Sequence, residues 1–443
     1  MLLIREVRII DPVTETDQTA DILIEGETIC RVGRHLEGIS AEAEENGRTG
    51  NGGCAVPDKL SIIDGRGLVA APGLVDGHVH FRDPGQEAKE DIFTGAAAAA
   101  RGGFTSVVCM ANTKPPVDNT ETLRYVLEKG RRTGIRIFSA ANLTKGMQGK
   151  ELTDMAALKE AGAVVFTDDG VPVMDEKLLV KGMESARDLD MPVSLHEEDP
   201  ALMSQPGVNL GEISEKIGYG GASAAAEYVL VARDCMLALH TGAKVCIQHI
   251  SCGKSVEMVR LARKLGADIH AEATPHHFTL TQEAVLLYGT NARMNPPLRT
   301  EQDRQQIIKG LMDGTIDMIA TDHAPHTPQE KGKDMEHSPS GIIGLETALG
   351  LGIRSLVEPG YLSLMDLVRL MSTQPARMYG MEPVSIQAGY PADIVLFDPA
   401  GKWTVSTFAS RSSNSPFTGW ELPGKVHATI CGGRIVYLKD PSA

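Results

Sequence analysis

The residues best suited to chemistry begin with a His-x-His pair, His78 and His80, within the stretch 76–85. The apolar run at 68–75 leads into this pair and predicts a β-strand that begins at Leu74. Because successive side chains of a strand point to opposite faces, the two histidines project the same way. Two imidazoles on one face can bind one metal ion, and zinc accepts them readily. The spacing alone fits an ordinary polar strand end equally well.

Other residues of metal-binding types follow later predicted strands at the point where each strand ends. They are Asp168 and Asp169 after the fourth strand, His196 after the fifth, His249 after the sixth and Asp322 after the eighth. Each of them alone is more simply explained as a polar strand end. Barrel enzymes carry their active sites at the carboxyl ends of the strands, so the coincidence on five strands favours a metal centre.

The remaining histidines show no such spacing. Four of them, in or after the seventh and eighth predicted strands, could orient a metal ligand, and four others are predicted to be surface or packing residues. The first group is His270, His276, His277 and His323, and the second is His35, His240, His337 and His427.

Short apolar strands that alternate with helical segments must position these residues. Eight such strands are predicted from residue 69 onward, with helical segments between them. This count predicts an α/β fold, a (β/α)₈ TIM-like barrel. The predicted strands are 74–79, 105–110, 136–141, 163–167, 192–196, 244–250, 268–273 and 316–321.

Both ends of the chain predict short strands that together form one small β-domain. Residues 1–68 supply its first part and residues 385–443 its second, while residues 69–384 form the metal-dependent barrel. Residues 37–59, rich in Gly, Glu, Ala and Asn, predict a mobile surface loop.

The composition excludes several classes of partner. The chain has 443 residues, 43 of them basic and 58 acidic, and a formal net charge of −15. This balance disfavours nucleic acid and anionic membranes as partners. No segment approaches about 18 consecutive apolar residues, so no membrane span is predicted. The 7 cysteines form no C-x-x-C pair, which favours free thiols, and no signal peptide is recognisable, so a cytoplasmic protein is expected.

Five motifs of this chain resemble those of the amidohydrolase superfamily and, more closely, those of the bacterial type I dihydroorotases. They occur in the order in which that family has them, and they span most of the predicted barrel. The motifs are residues 76–85, 110–115, 166–170, 294–299 and 320–326. Two positions depart from the family pattern: Ala111 stands where proline is usual, and Glu197 where cysteine is expected. Neither change removes a group that the chemistry needs.

The resemblance implies a centre of one or two zinc ions. His78, His80 and Asp322 would bind one ion, and His196 and His249 the second. Asp169 would bridge the two ions, at a position where many superfamily members carry a carboxylated lysine. Two Zn²⁺ with two carboxylates and one hydroxide leave a charge of about +1, which suits an anionic substrate.

The resemblance also implies a set of substrate contacts. Among them, Arg82 suits a carboxylate because its planar guanidinium group offers paired donors. The charged stretch 329–341 could act as a lid or be a plain surface loop. The implied contacts are His80, Arg82, Asn112, Asn295, His326, Ser340 and Gly341.

The function implied by the resemblance is zinc-dependent, reversible cyclisation of N-carbamoyl-L-aspartate to L-dihydroorotate in pyrimidine (UMP) synthesis. The metal would activate a water by lowering its pKa from about 15.7 toward about 7. Asp322 would take the proton from the nucleophile and pass it to the leaving nitrogen. Two alternatives stay open, another cyclic amidase such as a hydantoinase or allantoinase, and a non-catalytic scaffold subunit. The expected partners are a small-molecule substrate and, in a homodimer, a second copy of the chain.

Overall fold

The first strands of the chain form one half of a mixed sheet. The structure, a computed structural model, describes residues 1–36, 60–382 and 384–439, so the loop predicted at 37–59 lies outside the described residues. Strand β1 pairs with β2 antiparallel and with β4 and β5 parallel. The strands are β1 (Leu2–Asp11), β2 (Thr16–Glu25), β3 (Thr28–Gly33), β4 (Ser61–Asp64) and β5 (Val69–Pro72).

The next eight strands form the predicted barrel. They are parallel and pair in chain order. The backbone N–H of His80 donates to the carbonyl of His323 over 2.8 Å, and this contact brings the end of the last strand to the first, so that the barrel nearly closes. The strands are β6 (Leu74–Val79), β7 (Phe104–Cys109), β8 (Arg136–Ala141), β9 (Val165–Phe166), β10 (Val193–Leu195), β11 (Val245–Ile247), β12 (Ile269–Ala273) and β13 (Met318–Ile319).

Helices cover the outside of the barrel, and polar side chains cap many of them. In α1, Asp91 accepts hydrogen bonds from the first turn, and the buried face consists largely of alanines that allow close approach to the sheet. The helices are α1 (Ile92–Arg101), α2 (Thr120–Gly130), α3 (Met155–Glu160), α4 (Glu176–Asp188), α5 (Glu212–Lys216), α6 (Ala224–Thr241), α7 (Gly253–Leu265), α8 (Pro275–Thr279), α9 (Ala284–Tyr288), α10 (Glu301–Met312), α11 (Pro328–Lys331), α12 (Ala348–Gly352), α13 (Leu364–Val368) and α14 (Gln374–Met378).

The chain then returns to the first sheet. Strand β14 pairs antiparallel with β5 on one side and with β17 on the other, so strands from both ends of the chain share one sheet. The predicted small β-domain is confirmed, while its boundaries at 68/69 and 384/385 stay predictions. The last strands are β14 (Ile394–Asp398), β15 (Trp403–Thr404), β16 (Glu421–Leu422), β17 (Lys425–Cys431) and β18 (Arg434–Leu438).

Two further predictions concern the whole chain. Cys30 is disulfide-bonded, so the prediction that the cysteines are all free thiols is wrong at this position. Among the described residues, no helix is both long enough and apolar enough to cross a membrane. Five other cysteines are buried free thiols, namely Cys109, Cys235, Cys246, Cys252 and Cys431.

Candidate active site

The carboxyl ends of β6 and β13 bring three of the predicted metal ligands together. His80 Nε2 lies 3.0 Å from Asp322 Oδ1, and His78 Nε2 lies 3.7 Å from the same oxygen. All three side chains are buried. Their donor atoms are close enough to one another for the group to hold a metal ion.

A second group of the same kind shares His78 and adds residues from β9 and β11. His78, Asp169 and His249 could also hold an ion together. His196, at the end of β10, lies beside them, with its Nδ1 3.1 Å from His249 Nε2 and 3.8 Å from Asp169 Oδ1. The structure therefore gathers all six predicted ligands at one rim of the barrel.

Burial and charge in this cluster suit a cation. His78 Nε2 faces Asp169 and Asp322 but has no hydrogen-bond partner among the described residues. Burial would raise the pKa of Asp322, but its hydrogen bond with His80 and the nearby imidazoles hold that pKa below its usual value. The pKa of Asp169 is likewise held well below its usual range, against burial, by the nearby histidines. Buried charged carboxylates beside imidazoles are donors that zinc accepts.

Two glutamates that the sequence analysis did not identify contact the far side of these imidazoles. Glu272 Oε1 lies 2.8 Å from His78 Nδ1, and Glu198 Oε2 lies 3.1 Å from His196 Nε2. A carboxylate behind a ligand histidine fixes the orientation of its ring. A lone acidic residue inside the buried strand β12 was the signal that could have pointed to Glu272.

The predicted aspartate pair separates into two roles. Asp169 faces the histidines, whereas Asp168 turns away and accepts hydrogen bonds from the backbone N–H groups of Leu143 and Thr144 and from the Thr144 hydroxyl. Asp168 thus fixes the turn after β8 and is not near the candidate ions.

The histidines outside the cluster differ in the groups that they contact. His277 Nε2 donates to the carbonyl of Pro296 over 3.0 Å and so supports the loop that carries Asn295. His323 Nδ1 accepts from the backbone of Gly344, and His270 pairs with Asp317, away from the site. Burial lowers the pKa of His276 to about 4. The histidines predicted at the surface or in packing, which are exposed or half-buried, are His35, His240, His337 and His427.

A cavity of about 360 Å³ opens beside the cluster. All seven predicted substrate contacts line it, together with Pro206 and Arg293, which the sequence analysis did not identify. A larger cavity of about 770 Å³ lies between α1 and the C-terminal strands, away from the cluster. The predicted contacts in the wall are His80, Arg82, Asn112, Asn295, His326, Ser340 and Gly341.

Hydrogen bonds connect this wall to the cluster. Asn112 Oδ1 lies 2.9 Å from His80 Nδ1, and Asn112 Nδ2 donates to Asp169 Oδ2 over 2.8 Å. On the other side, Ser340 Oγ donates to Asn295 Oδ1 over 3.0 Å. Its Nδ2 also donates to the backbone carbonyl of Asp169 over 3.2 Å, so Asn112 bridges two candidate ligands and keeps only a lone pair of Oδ1 for a substrate.

His326 and Arg82 lie side by side in the wall, with Arg82 Nη2 3.5 Å from His326 Nε2. Burial, with the charge of Arg82 nearby, lowers the pKa of His326 to about 2, so its ring is neutral. Its Nε2 donates to the carbonyl of Ser340 over 2.8 Å. Arg82 Nε donates to the carbonyl of Pro325 over 3.4 Å, which leaves other guanidinium donors for a ligand.

Solved structures of cyclic-amide hydrolases share this architecture. L-hydantoinase (dihydropyrimidinase) from Arthrobacter aurescens matches with a TM-score of 0.85 at 22% identity, over 99% of this chain and 96% of that one. Dihydropyrimidinase from Brevibacillus agri matches with a TM-score of 0.82 at 23% identity, over 98% and 95%. At such identities the likeness shows the fold alone. The barrel and the small β-domain place this chain in the fold class that these hydrolases share, with a histidine–aspartate rim at the end of the barrel.

Sequence relatives narrow this class. A family model described as dihydro-orotase-like matches residues 67–255. The dihydroorotase of Clostridioides difficile is 54% identical over 99% of this chain and 100% of that protein. The dihydroorotases of Clostridium acetobutylicum and Lactococcus lactis are 49% and 46% identical, over 99% and 98% of this chain and 99% of each protein. The chain belongs to the dihydroorotase family.

Proposed function

We propose that this protein is a zinc-dependent dihydroorotase that interconverts N-carbamoyl-L-aspartate and L-dihydroorotate in pyrimidine synthesis. The observation that carries the proposal is that five of the six candidate metal ligands and Arg82 line one cavity of about 360 Å³. Dihydroorotate combines a ring amide, the bond to be broken, with a ring carboxylate. A cavity with metal-type ligands on one wall and a guanidinium group on another suits both groups.

The candidate ligands divide into two overlapping groups, which supports one or two ions for each chain. His78, His80 and Asp322 would hold one ion, His196 and His249 would hold the second, and Asp169 would be shared by both. When bound, zinc would polarise the amide carbonyl and lower the pKa of water from about 15.7 toward about 7. The charged carboxylates of Asp169 and Asp322 face the histidines, and their negative charge suits a cation.

Asp322 is the residue that we assign to proton transfer. Its carboxylate is charged and lies at the rim, within 3.0 Å of His80 Nε2. In ring opening it would accept the proton of the attacking water and deliver it to the leaving ring nitrogen. In cyclisation the same carboxylate would take the proton from the carbamoyl nitrogen and deliver it to the carboxyl oxygen that leaves as water.

The opposite wall would hold the substrate. Arg82 would bind the carboxylate that remains in both forms, and Asn112 and Asn295 would bind the ring edge. Neutral His326 and the segment Ser340–Gly341 would complete the contact. The cytoplasmic location and the homodimer expected from the sequence stay predictions.

The test is an assay of both directions, with metal analysis of the same sample. We expect turnover of dihydroorotate and of N-carbamoyl-L-aspartate, loss of turnover after chelation and recovery with zinc. Turnover by a verified metal-free sample would contradict metal dependence. A metal-loaded protein that prefers hydantoin or allantoin would instead support the cyclic-amidase alternative, and one that converts none of these compounds would support the scaffold alternative.

A further inference from the structure

Arg293 lies in the wall of the candidate pocket, outside the set of seven predicted substrate contacts. Its side chain is only 6% exposed. Its Nη2 donates to the hydroxyl of Tyr219 over 3.1 Å and to the carbonyl of Pro206 over 3.4 Å. Its Nε is buried and has no hydrogen-bond partner in the described part of the chain.

The charge of this guanidinium group is not balanced by a protein carboxylate. Within residues 1–36, 60–382 and 384–439, no aspartate or glutamate oxygen lies within 4.0 Å of Arg293, whereas buried Arg299 has Glu227 at 3.7 Å. A buried charge is costly unless it is paired. The ring of Tyr219, with its centroid 5.9 Å from the guanidinium carbon, supplies only part of the missing stabilisation.

The surroundings of Arg293 hold its guanidinium group closely in place. Gly207 packs against it with a φ of +91°, and a Cβ at this glycine would lie 2.7 Å from Arg293 Nε and 2.9 Å from Ser340 Oγ. The carbonyl of Arg293 also accepts from the backbone N–H of Gly341 over 2.9 Å. The guanidinium group is thus fixed against the same segment that we assign to substrate binding.

We propose that Arg293 is a further specificity residue, whose guanidinium group provides a second positive charge for the carboxylate of the substrate. The inference rests on the proposed function, because that function supplies the anionic substrate. Both dihydroorotate and N-carbamoyl-L-aspartate carry the carboxylate that Arg82 would bind. A second cation in the same cavity favours these anions over uncharged cyclic amides.

The experiment compares Arg293→Met and Arg293→Lys with the wild type. Ligand binding is measured by calorimetry with orotate, which carries the carboxylate, and with uracil, which does not. We expect Arg293→Met to weaken orotate binding about tenfold to hundredfold and to leave uracil binding within about twofold. Arg293→Lys should recover part of the loss. Kinetics with dihydroorotate should show the same loss, mainly in KM.

Two controls separate this role from a structural one. Arg260→Met removes an exposed arginine that pairs with Asp313, and it should change the binding of neither ligand. Higher salt should weaken orotate binding more in the wild type than in Arg293→Met. If Arg293→Met does not fold, Arg293→Gln keeps a donor toward Tyr219 and should give the same result.

The outcomes distinguish this inference from the proposed function. Unchanged orotate binding in Arg293→Met, or an equal loss for orotate and uracil, would overturn the role of Arg293. A wild type that binds orotate but does not turn over dihydroorotate would contradict the proposed function, while the binding data would still decide about Arg293. A wild type that neither binds orotate nor turns over dihydroorotate would overturn both.

Discussion

The two walls of the candidate site are built in different ways. The metal-type residues come directly at the ends of barrel strands, and glutamates such as Glu272 hold their rings from behind. The substrate wall comes mostly from loops, where Asn295, His326 and Ser340 contact one another through single hydrogen bonds. Strand pairing fixes the first wall, whereas the second depends on contacts between distant loops. Changes on the first wall should therefore affect chemistry and metal affinity, and changes on the second should affect substrate affinity.

Asp322→Asn tests the first wall with the largest expected effect. The variant keeps the size of the side chain but removes the proton acceptor, so turnover should fall by about 10²–10⁴-fold in both directions, with the fold retained. Steady-state assays measure the turnover, and circular dichroism checks that the fold is retained. Asp268→Asn, which changes an exposed carboxylate on the barrel exterior, serves as the control. Near-normal turnover would mean that another group carries the proton.

Glu272→Gln tests whether the glutamates behind the rings matter to the first wall. Loss of the charge beside His78 should weaken metal affinity by about 10–100-fold, because partners of this kind orient the ligand. Competition with a chelator of known affinity measures the change, and Glu257→Gln on the outer face of α7 is the matched control. An unchanged affinity would show that strand geometry alone orients His78.

Arg82→Met tests the substrate wall. Loss of a hydrogen bond to a charged group costs about 1.5–3 kcal/mol, so the use of dihydroorotate should fall about tenfold to hundredfold. An uncharged cyclic amide should be affected far less. The ratio of kcat/KM for the two substrates is the measurement, with exposed Arg66→Met as the control. An equal loss for both substrates would mean that Arg82 supports the wall without binding the carboxylate.

Lys331→Met tests the support behind that wall and should have the smallest effect. Lys331 Nζ donates to the carbonyls of Pro339 and Gly341, so its loss should raise KM several-fold and leave kcat close to normal. A change confined to kcat would place the segment in the chemistry instead.

Lys331 also leads to a prediction of how the free energy of unfolding depends on pH. Burial, aided by the charge of Arg293, lowers the pKa of Lys331 from 10.5 to about 7. Between pH 7 and 10.5 the unfolded chain then binds more protons than the folded one, so this group's destabilising contribution shrinks as the pH rises. The Lys331→Met variant should lack that gain in the free energy of unfolding. Denaturant titrations at pH 7 and pH 9 measure the difference.

The first wall, which carries the metal-type residues, could be predicted from the sequence because short apolar runs end where the polar residues begin. Two predicted strands, 74–79 and 136–141, agree with β6 and β8 to the residue. The runs at 163–167 and 316–321 are longer than β9 and β13, because apolar residues continue beyond the paired part. Pairing depends on register with neighbouring strands, which one strand's sequence does not contain.

The substrate wall could be predicted only through resemblance to a family. The backbone carbonyl of Arg293 and the side-chain Nζ of Lys331 both bond to Gly341, although no local sequence pattern connects these parts of the chain. Helices α12 and α13 are also irregular, since each continues as a π-helical turn. Apolar periodicity does not distinguish such turns from an α-helix.

The junction at Gly73 has a consequence for the synthesis of the chain. Strand β5 ends at Pro72 and β6, which carries His78 and His80, begins at Leu74. Because β5 needs β14 as its second neighbour, the ribosome must make nearly the whole protein before this part of the sheet is complete. A chain that stops before Ile394 leaves the edge of β5 open beside the first candidate ligands, and an open edge invites pairing with other chains.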